Sequence, residues 1–546
     1  MTKPHPDTTS TRTASTDKTW INDATRSRAL GHVAANTVDV AVVGGGITGA
    51  GVALDAVSRG LSVALIESND FGSGTSGYSS KLVHGGLRYL TKADFPVAWE
   101  SAVERRWLMQ SIAPHLVHPL GFIIPDAKDS PAHEAMVAGA GVVLYDLLRR
   151  ASGLRSTTLP RPQLLTSQAV SAMVPALEAK SLRRGLLYWD GQVFDDARLV
   201  LGVLRTAAGL GAHVMRDVKA TALGATSVTA TDTRTGEPVE ITARAVVNAT
   251  GVWAAGFDDT LELTPSRGTH LVVRSARLGN PHAAHTVQVP GHFGRYVIVL
   301  PQPTGLVYIG LTDEEDRQAD GHRPAVPEHD IDFLLGVVNT ALAVPLTRAD
   351  VVGIFAGLRP LVRDKHVGGR EGTADISRRH LVTDTPGQPI TVVGGKLTTY
   401  RRMAQDAVDA VAARLGSAEQ SRTRSLPLVG AARRKVLKGI DAPARLVRKY
   451  GTEAQAVHRL ALEDPLMAEP IFEGTEITGA ELLFAVRAEG ASSIDDLLDR
   501  RTRLALVPED AARARERAGL ILAIGLDGRS EGTADSKGTR SEGTAP

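Results

Sequence analysis

The stretch "VDVAVVGGGITGAGVALDAVSRGLSVALIE", from Val38 to Glu67, holds two apolar strands with a glycine-rich turn and a helix of small residues between them. Gly44, Gly46 and Gly49 fit the pattern G-x-G-x-x-G, which permits a tight turn, close approach to a pyrophosphate, and close packing of helix on strand. The N-terminus of the helix offers N–H groups and a positive dipole end to phosphates. Glu67 ends the second strand about 20 residues later, where an acid accepts hydrogen bonds from a ribose. The stretch predicts a dinucleotide-binding unit but does not choose between NAD and FAD.

The composition excludes several classes of protein. The chain has 546 residues, enough for two or three domains. Its 62 basic and 60 acidic residues nearly balance, so the charge indicates no nucleic-acid partner. The absence of cysteine excludes disulfides, thiolate catalysis and cysteine-held metal clusters, and we expect no metal site. No apolar run reaches the roughly 18 to 20 residues that span a bilayer, and the polar N-terminus is not a secretory signal.

Three further segments favour FAD over NAD. The segment "NDFGSGTSGYSSKLVHGGLRYL" (69–90) is dense in Gly, Ser and Thr, and can lay amides and hydroxyls along an extended cofactor. "AVVNATGVWA" (245–254) and "ITVVGGKLTTYRRMAQDAVDAVAARL" (390–415) each place a glycine turn after a strand. The helix after the second of these turns could stabilise negative charge on a reduced flavin. The three glycine turns predict one FAD that is contacted from distant parts of the chain.

Several motifs together resemble the FAD-dependent, quinone-linked glycerol-3-phosphate dehydrogenases. They are "SSKLVHGGLRYL", "DDARLVL", "NATGVWA", "GLRPL", "GGKLTTYRRMA" and the late segment "RRTRLAL". The resemblance implies oxidation of sn-glycerol 3-phosphate to dihydroxyacetone phosphate, with hydride transfer to FAD and electrons passed to a membrane quinone. It also implies a cytoplasmic enzyme that associates peripherally with the inner face of the plasma membrane, and we consider a homodimer.

A phosphorylated secondary alcohol needs cations for its phosphate, a proton acceptor for its hydroxyl and a flavin above the carbon. The resemblance places Arg359 and Lys396 near flavin and substrate, and His270, whose neutral imidazole suits proton abstraction, close to the substrate. These three are the predicted catalytic residues. The predicted substrate contacts are Arg88, Tyr89, Thr312 and Arg378. The predicted FAD contacts are Gly44, Gly46, Gly49, Glu67, Thr75, Ser76, Ser80, Lys81, Leu82, Val218, Gly251, Gly395 and Leu397.

The order of the motifs predicts a mixed α/β fold (α/β with α+β character) in which the Rossmann-like FAD-binding domain is discontinuous. Alternating segments between the glycine turns predict an inserted substrate domain with a mixed β-sheet, and amphipathic segments near the C-terminus predict an all-α cap domain. We expect the FAD-binding domain at about 36–110, 195–255 and 350–425, the substrate domain at about 111–194 and 256–349, the cap domain at about 426–526, and disordered tails at about 1–35 and 527–546.

The basic stretch "ARRKVLKGIDAPARLVRKYG" (432–451) fits either docking on an anionic membrane or a solvated helix face whose apolar side packs in the cap. Three other activities stay open: an oxidase of the same substrate that uses O₂, an amino-acid or sarcosine-type flavin oxidase, and a redox-silent flavin-binding protein. Tyr78 departs from the small or basic residue expected at its position, with an effect that the sequence does not define.

Overall fold

The glycine-rich stretch folds as a strand, a helix and a second strand parallel to the first, at Val38–Val43, Ile47–Ser58 and Val63–Ile66. These come from a computed structural model that describes residues 17–91, 94–128, 131–292, 294–317, 321–362 and 379–527. In that part of the chain the strands are β1 (Val38–Val43), β2 (Val63–Ile66), β3 (Leu82–Val83), β4 (Val117–Ala127), β5 (Gln163–Thr166), β6 (Leu182–Val193), β7 (His213–Met215), β8 (Val218–Leu223), β9 (Ser227–Asp232), β10 (Pro238–Asn248), β11 (Leu263–Arg274), β12 (Ala284–Gln288), β13 (Tyr296–Pro301), β14 (Leu306–Gly310), β15 (Glu314–Glu315), β16 (Val351–Val362), β17 (His380–Thr383) and β18 (Ile390–Gly394).

The helices follow the same numbering along the described chain, and two short π-helical turns lie at Leu108–Ile112 and Asp496–Arg501. The α-helices are α1 (Asp23–Ala35), α2 (Ile47–Ser58), α3 (Leu87–Thr91), α4 (Phe95–Trp107), α5 (Ala132–Ala151), α6 (Ser167–Met173), α7 (Asp196–Gly209), α8 (Glu328–Asn339), α9 (Tyr400–Leu415), α10 (Arg434–Lys438), α11 (Ala444–Tyr450), α12 (Ala454–Glu463), α13 (Pro465–Ala468), α14 (Gly479–Glu489) and α15 (Pro508–Asp527).

The parallel sheet has the strand order β17–β18–β10–β1–β2–β7, with β9 and β8 continuing antiparallel from β10. Strands β1 and β2 are buried at every residue except Asp39, because helices or strands cover both faces of the sheet. Val40 and Val42 of β1 point into the core that includes α2, α7 and α9, whereas Ala41 and Val43 pack on the opposite side. The three glycine turns follow β1, β10 and β18, so the parallel order brings them to one edge.

The second sheet has ten strands in the order β15–β11–β14–β13–β12–β4–β6–β3, with β16 beside β11 and β5 beside β6. Its longest pairings are antiparallel, between β11 and β16 and between β4 and β6. Only the β12–β4 contact is parallel among its described pairs. This sheet is the mixed sheet that the sequence predicts.

Helix α1 lies within the segment that the sequence predicts to be a disordered N-terminal tail. Residues 23–35 form α1, whose N-cap Asn22 accepts a hydrogen bond from the N–H of Thr25 at 3.1 Å. Ala29 and Val33, one turn apart, are buried against the parallel sheet. The prediction of disorder over residues 1–35 is therefore wrong for α1, because a polar composition hid an apolar pair at helical spacing. Residues 1–16 and 528–546 lie outside the described part of the chain.

Two strands also cross the expected domain boundaries. β16 and β3 both belong to the ten-stranded sheet, although the sequence assigns their residues to the FAD-binding domain. From α10 onward the described chain is helical, and Arg198 of α7 pairs with Glu489 of α14 across the two regions. No helix of the described residues has both the length and the apolar character to cross a membrane.

Candidate active site

A cavity of about 1040 Å³ lies between the two sheets. On one side it is lined by residues that follow the carboxyl ends of the parallel strands, such as Gly44, Glu67 and Thr250. On the other side it is lined by one face of the ten-stranded sheet, where Phe122, Tyr188 and His270 point into it. The edge beyond the carboxyl ends of parallel strands is the usual ligand site of such sheets.

The first glycine turn leaves no room for side chains. Gly44 has φ +113°, and a Cβ there would lie 2.5 Å from the carbonyl oxygen of Ala249. A Cβ on Gly49 would collide with the carbonyl of Gly44, so Gly49 lies below the turn and packs helix on strand. Gly46 and the first residues of α2 line the cavity. The turn therefore has the close backbone approach that a pyrophosphate requires.

Glu67 lies at the end of β2 in the cavity wall, as the sequence predicts for an acid that contacts a ribose. Its carboxylate accepts hydrogen bonds from the N–H of Gly45 at 2.6 Å and from that of Asn69 at 2.9 Å. Val218 lines the same region, but its N–H donates to the carbonyl of Glu67 at 2.9 Å. A backbone contact from Val218 to an adenine would therefore use its carbonyl oxygen.

The remaining predicted FAD contacts are distributed along the same cavity, with one exception. The Thr75 hydroxyl donates to the carbonyl of Leu358 at 2.6 Å, and the Ser76 hydroxyl accepts from the N–H of Ile47 at 2.9 Å. Ser76 thus connects this part of the cavity wall to the start of α2, and Thr75 connects it to β16. The others that line the cavity are Ser80, Leu82, Gly251, Gly395 and Leu397.

Lys81 is the exception. Its ammonium group is buried and lies 2.7 Å from a carboxylate oxygen of Asp196 and 3.6 Å from one of Asp195. The side chain therefore points away from the cavity, because two buried carboxylates on the far side require a cation. The predicted contact of Lys81 with the cofactor would therefore have to come from its backbone.

Arg359 lies on β16 with its guanidinium in the cavity wall, in space that Gly268 leaves open. Its Nη1 donates to Asp313 at 2.8 Å and to the hydroxyl of Ser266 at 3.0 Å, while Nη2 donates to the carbonyl of Thr312 at 3.3 Å. A Cβ on Gly268 would lie 2.5 Å from Nη2. The cation is therefore preorganised by contacts from three directions.

His270 lies on β11, where it pairs with Phe355 of β16, and is almost wholly buried. Its Nε2 is 2.9 Å from the hydroxyl of Ser80, and its ring stacks on Phe355 with centroids 4.7 Å apart. Burial, followed by the positive charges of Arg359 and Lys81, lowers the pKa of His270 to about 3. The imidazole is therefore neutral near pH 7 and can accept a proton.

Lys396 follows the last glycine turn and enters the cavity from the opposite wall. Its Nζ donates to the hydroxyl of Ser101 at 2.6 Å and lies 4.3 Å from the centre of the Tyr89 ring. Tyr89 also lines the cavity. The fold thus brings Lys396, Tyr89, Arg359 and His270 from four distant segments to one cavity.

Three other predicted substrate residues have different outcomes. The Thr312 hydroxyl accepts from the N–H of Thr269 at 3.0 Å and lies 3.3 Å from Asp330. The carbonyl of Thr312 accepts a hydrogen bond from Arg359. Arg88 lies in α3, and its side chain is outside the described atoms. Arg378 lies outside the described residues.

Two contributors were missed by the sequence reasoning. Asp313, in "LTDEE", pairs with Arg359, and its only signal in the sequence is that it is an acid next to the predicted substrate contact Thr312. Gly310 makes space for His270, since a Cβ there would lie 2.5 Å from the imidazole Cδ2. Tyr78 lines the cavity, and its hydroxyl donates to Asp499 of the helical region at 3.0 Å.

Comparisons with known proteins agree with this architecture. The sequence model of the FAD dependent oxidoreductases matches residues 39–401, and that of the C-terminal domain of alpha-glycerophosphate oxidase matches residues 421–526. The chain is 46% identical over 502 residues to glycerol-3-phosphate dehydrogenase 1 of Mycobacterium tuberculosis, covering 90% of this chain and 96% of that protein. It is 34% identical to the mitochondrial glycerol-3-phosphate dehydrogenase of Bos taurus, over 87% of this chain and 68% of that protein.

A solved structure of glycerol-3-phosphate dehydrogenase from Bacillus halodurans, complexed with FAD, is similar with a TM-score of 0.72 and 27% identity, over 92% of this chain and 93% of that one. The fold and the glycine-walled cavity define an FAD-dependent oxidoreductase, and the predicted fold class and cofactor are confirmed. Within that class, the chain belongs to the glycerol-3-phosphate dehydrogenase family.

Proposed function

We propose that this chain oxidises sn-glycerol 3-phosphate to dihydroxyacetone phosphate. The observation that carries the proposal is that one cavity holds two preorganised cations, Arg359 and Lys396, and a buried neutral imidazole, His270, beside the FAD-binding turns. A phosphate ester with a secondary alcohol needs this combination. The relatives named glycerol-3-phosphate dehydrogenase support the same substrate.

Bound FAD supplies the acceptor for the hydride that leaves C2 of the substrate. In the proposal, His270 takes the hydroxyl proton, so that substrate loses one hydride and one proton and becomes the ketone. Arg359 stabilises the negative charge that develops on the C2 oxygen, because its guanidinium is fixed before the reaction begins. Lys396 and Tyr89 orient the substrate, and the predicted phosphate contacts of Arg88 and Arg378 are kept as part of the proposal.

The basicity of His270 would rise when an anionic substrate binds. In the free protein, burial and then the positive charges of Arg359 and Lys81 disfavour the imidazolium and lower the pKa of His270. A phosphate dianion near Arg359 offsets that positive charge, and a nearby negative charge raises a histidine pKa. Substrate binding thus raises the proton affinity of the base at the moment when the base is needed.

The direct test is anaerobic bleaching of the flavin absorbance by glycerol 3-phosphate, with glycerol as the control that lacks the phosphate. Rapid bleaching by the phosphate ester alone supports the proposal. Bleaching by amino acids or sarcosine instead would identify the amine-oxidising alternative, and no bleaching by any of them would identify a redox-silent flavoprotein.

The electron acceptor in the proposal is a membrane quinone, and helix α5 provides the supporting observation. Met136, Val143 and Leu147 lie along one face of α5 with 70%, 63% and 53% of their surface exposed. A different face of the same helix lines the cavity through Val137 and Gly141. A lipid-soluble acceptor that enters beside α5 would therefore move from an apolar surface directly into the cavity.

We propose that this face of α5 rests on an anionic bilayer. A stable dimer interface needs about 20 to 30 residues a side, far more than the α5 face supplies, whereas a short apolar stripe suits shallow insertion into lipid. Phe95 and Trp99 are also exposed on α4, which shares a core with α5, and Arg150, which pairs with Asp146 at 3.0 Å, lies at the end of the stripe. Aromatic and basic side chains favour the headgroup region.

The basic stretch 432–451 offers less for lipid docking than the sequence allowed. Arg445 and Lys449 both turn inward to the buried carboxylate of Glu481, and Leu446 packs in the helical core. The exposed basic residues of the stretch are Arg433, Lys435, Lys438 and Arg448, with the apolar Val436 among them.

Sedimentation with vesicles that contain phosphatidylglycerol tests the membrane proposal. Met136→Ser and Leu147→Ser should weaken binding, while Lys435→Gln and Lys438→Gln, in the basic stretch, should change it less. A loss of oligomers without a loss of vesicle binding would instead mean that a second copy covers α5.

Anaerobic turnover with a quinone analogue, against peroxide yield in air, separates quinone from O₂ as the acceptor.

A further inference from the structure

One arginine of the helical C-terminal region, Arg503, contacts the segment that carries Ser80 beside the cavity. We propose that Arg503 is a positioning residue that fixes the segment of residues 77–81 and thereby the contact between Ser80 and His270. The kinetic part of this inference rests on the proposed function. Neither the glycine turns nor the predicted catalytic set includes Arg503, although "RRTRLAL" was singled out in the sequence.

All three guanidinium nitrogens of Arg503 donate hydrogen bonds. Nη2 donates to the carbonyl of Gly77 at 2.7 Å and pairs with Asp196, Nε donates to Asp195 at 2.6 Å, and Nη1 donates to the carbonyl of Asp499 at 3.1 Å. The side chain is buried, and the backbone at Arg503 has φ +66°. A non-glycine residue is uncommon in this left-handed region and persists where surrounding contacts fix it.

Asp196 carries the connection to the next residues of the segment. Its carboxylate accepts hydrogen bonds from the N–H of Ser79 at 2.9 Å, from the Ser79 hydroxyl at 2.7 Å and from the ammonium of Lys81 at 2.7 Å. Lys81 is itself held at φ +57°. Arg503 and Lys81 together balance Asp195 and Asp196, which explains why Lys81 does not face the cofactor cavity.

Ser80 is the residue between these two anchored positions. Its hydroxyl lies 2.9 Å from Nε2 of His270, the residue to which the proposal assigns the substrate proton. Because Ser79 and Lys81 are both tied to Asp196, a shift of that carboxylate moves Ser80 and its contact with the imidazole. Tyr78 adds a second connection to the helical region through Asp499.

The two regions do not depend on Arg503 alone for their association. Asp70 pairs with Arg501 at 2.7 Å, and Arg216 pairs with Asp496 at 2.7 Å, both buried and both across the same boundary. A conservative change at Arg503 should therefore leave the domains together while it releases the segment of residues 77–81. A variant that stays folded but reacts more slowly would therefore distinguish a positioning role of Arg503 from a merely structural one.

The experiment compares wild-type holoenzyme with Arg503→Lys, Arg503→Met and Ser79→Ala. Lysine keeps the charge but cannot bond Gly77, Asp195 and Asp196 together, whereas Ser79→Ala removes one link to Asp196 without removing a charge. Arg274→Met is the matched control, because it breaks a different pair across the boundary, that of Arg274 with Asp510 at 2.7 and 2.9 Å. Each protein is measured for its rate of anaerobic flavin reduction, flavin midpoint potential, visible circular dichroism, FAD affinity and Tm.

Arg503→Lys and Ser79→Ala should slow flavin reduction by about tenfold to a hundredfold, the usual cost of a small misplacement, with a smaller change in apparent substrate affinity. Both should change the flavin dichroism or potential, and Arg274→Met should change neither. If Arg503→Met does not fold, the other two variants decide. Wild-type reduction rates and spectra in both of them would overturn the inference, as would equal losses in Arg274→Met.

The flavin potential and dichroism need no substrate. A wild-type protein that glycerol 3-phosphate does not reduce would therefore contradict the proposed activity alone, and the spectra of the variants would still test the position of the segment.

Discussion

Replacement of Arg359 by alanine tests the centre of the proposed mechanism, because the structure defines what the change removes and what it leaves. The guanidinium that is removed is fixed by Asp313, Ser266 and the carbonyl of Thr312. Loss of one preorganised donor to a developing oxyanion costs about 10² to 10³ in rate, or about 3–4 kcal/mol.

The alanine variant also leaves the carboxylate of Asp313 without the Arg359 ion pair, near the position of an anionic substrate. The Arg359 side chain is 21% exposed, so water screens this site and an effective dielectric constant of about 20 is appropriate. Two unit charges about 6 Å apart then repel by roughly 3 kcal/mol as an upper value. We expect Arg359→Ala to slow flavin reduction by about 10³ or more.

The assay is anaerobic stopped-flow reduction of the bound flavin by glycerol 3-phosphate. Adding Asp313→Asn to Arg359→Ala should restore about tenfold to a hundredfold, because it removes the carboxylate charge that repels the anionic substrate. Asp313→Asn alone should slow the reaction, since Arg359 loses its anchor. Full flavin content in all variants is the control. A rate for Arg359→Ala within tenfold of wild type, or no recovery in the double variant, would refute the reasoning.

Three further results are expected. Gly310→Ala should retain FAD but slow flavin reduction about tenfold or more, because the new Cβ would displace the His270 ring; wild-type rates would show that the ring position is not critical. The pKa of His270 is about 3 in the free protein, so kcat/KM should show no limb from imidazole protonation between about pH 5 and 8, and a limb there that vanishes in His270→Asn would disagree. Burial would raise the pKa of Glu481, but Lys449 and Arg445 lower it from 4.5 to about 2, so this carboxylate contributes stability above pH 4.5 that is lost as the pH falls towards 2. Glu481→Gln should therefore lower the free energy of unfolding by about 3 kcal/mol at neutral pH, with a gap to wild type that closes in acid, as followed by calorimetry; a constant gap would contradict the assigned cause.

The predictions that depended on local backbone pattern agree well with the structure. Gly44 and Gly49 lie where a Cβ would collide, and Glu67 lies at the end of β2, because each property depends on residues close in sequence. The segments that required a long-range partner were harder. Helix α1 was taken for a disordered tail, since its two buried residues gain a partner only when the parallel sheet exists.

The functional side chains also differ in whether the sequence alone could indicate them or whether they depend on distant partners. The resemblance to a known family chose Arg359 and His270, but nothing in the sequence indicated that Asp313 holds the first or that Gly310 makes space for the second. Lys81, in the middle of a cofactor motif, was assigned to the cavity and lies instead between two buried carboxylates. Which way such a side chain turns depends on charges supplied from far along the chain.

The sequence by itself determined the class of fold, the glycine turns and the family, because strand–glycine–helix patterns fix backbone geometry within a few residues. The tertiary structure alone decided the charge state and orientation of the groups in the cavity. Burial and distant ions set the pKa of His270, and the helical region, through Arg503, contacts the segment that holds Ser80 against it. Electrostatic energies in a buried site depend on distances that only the folded chain establishes.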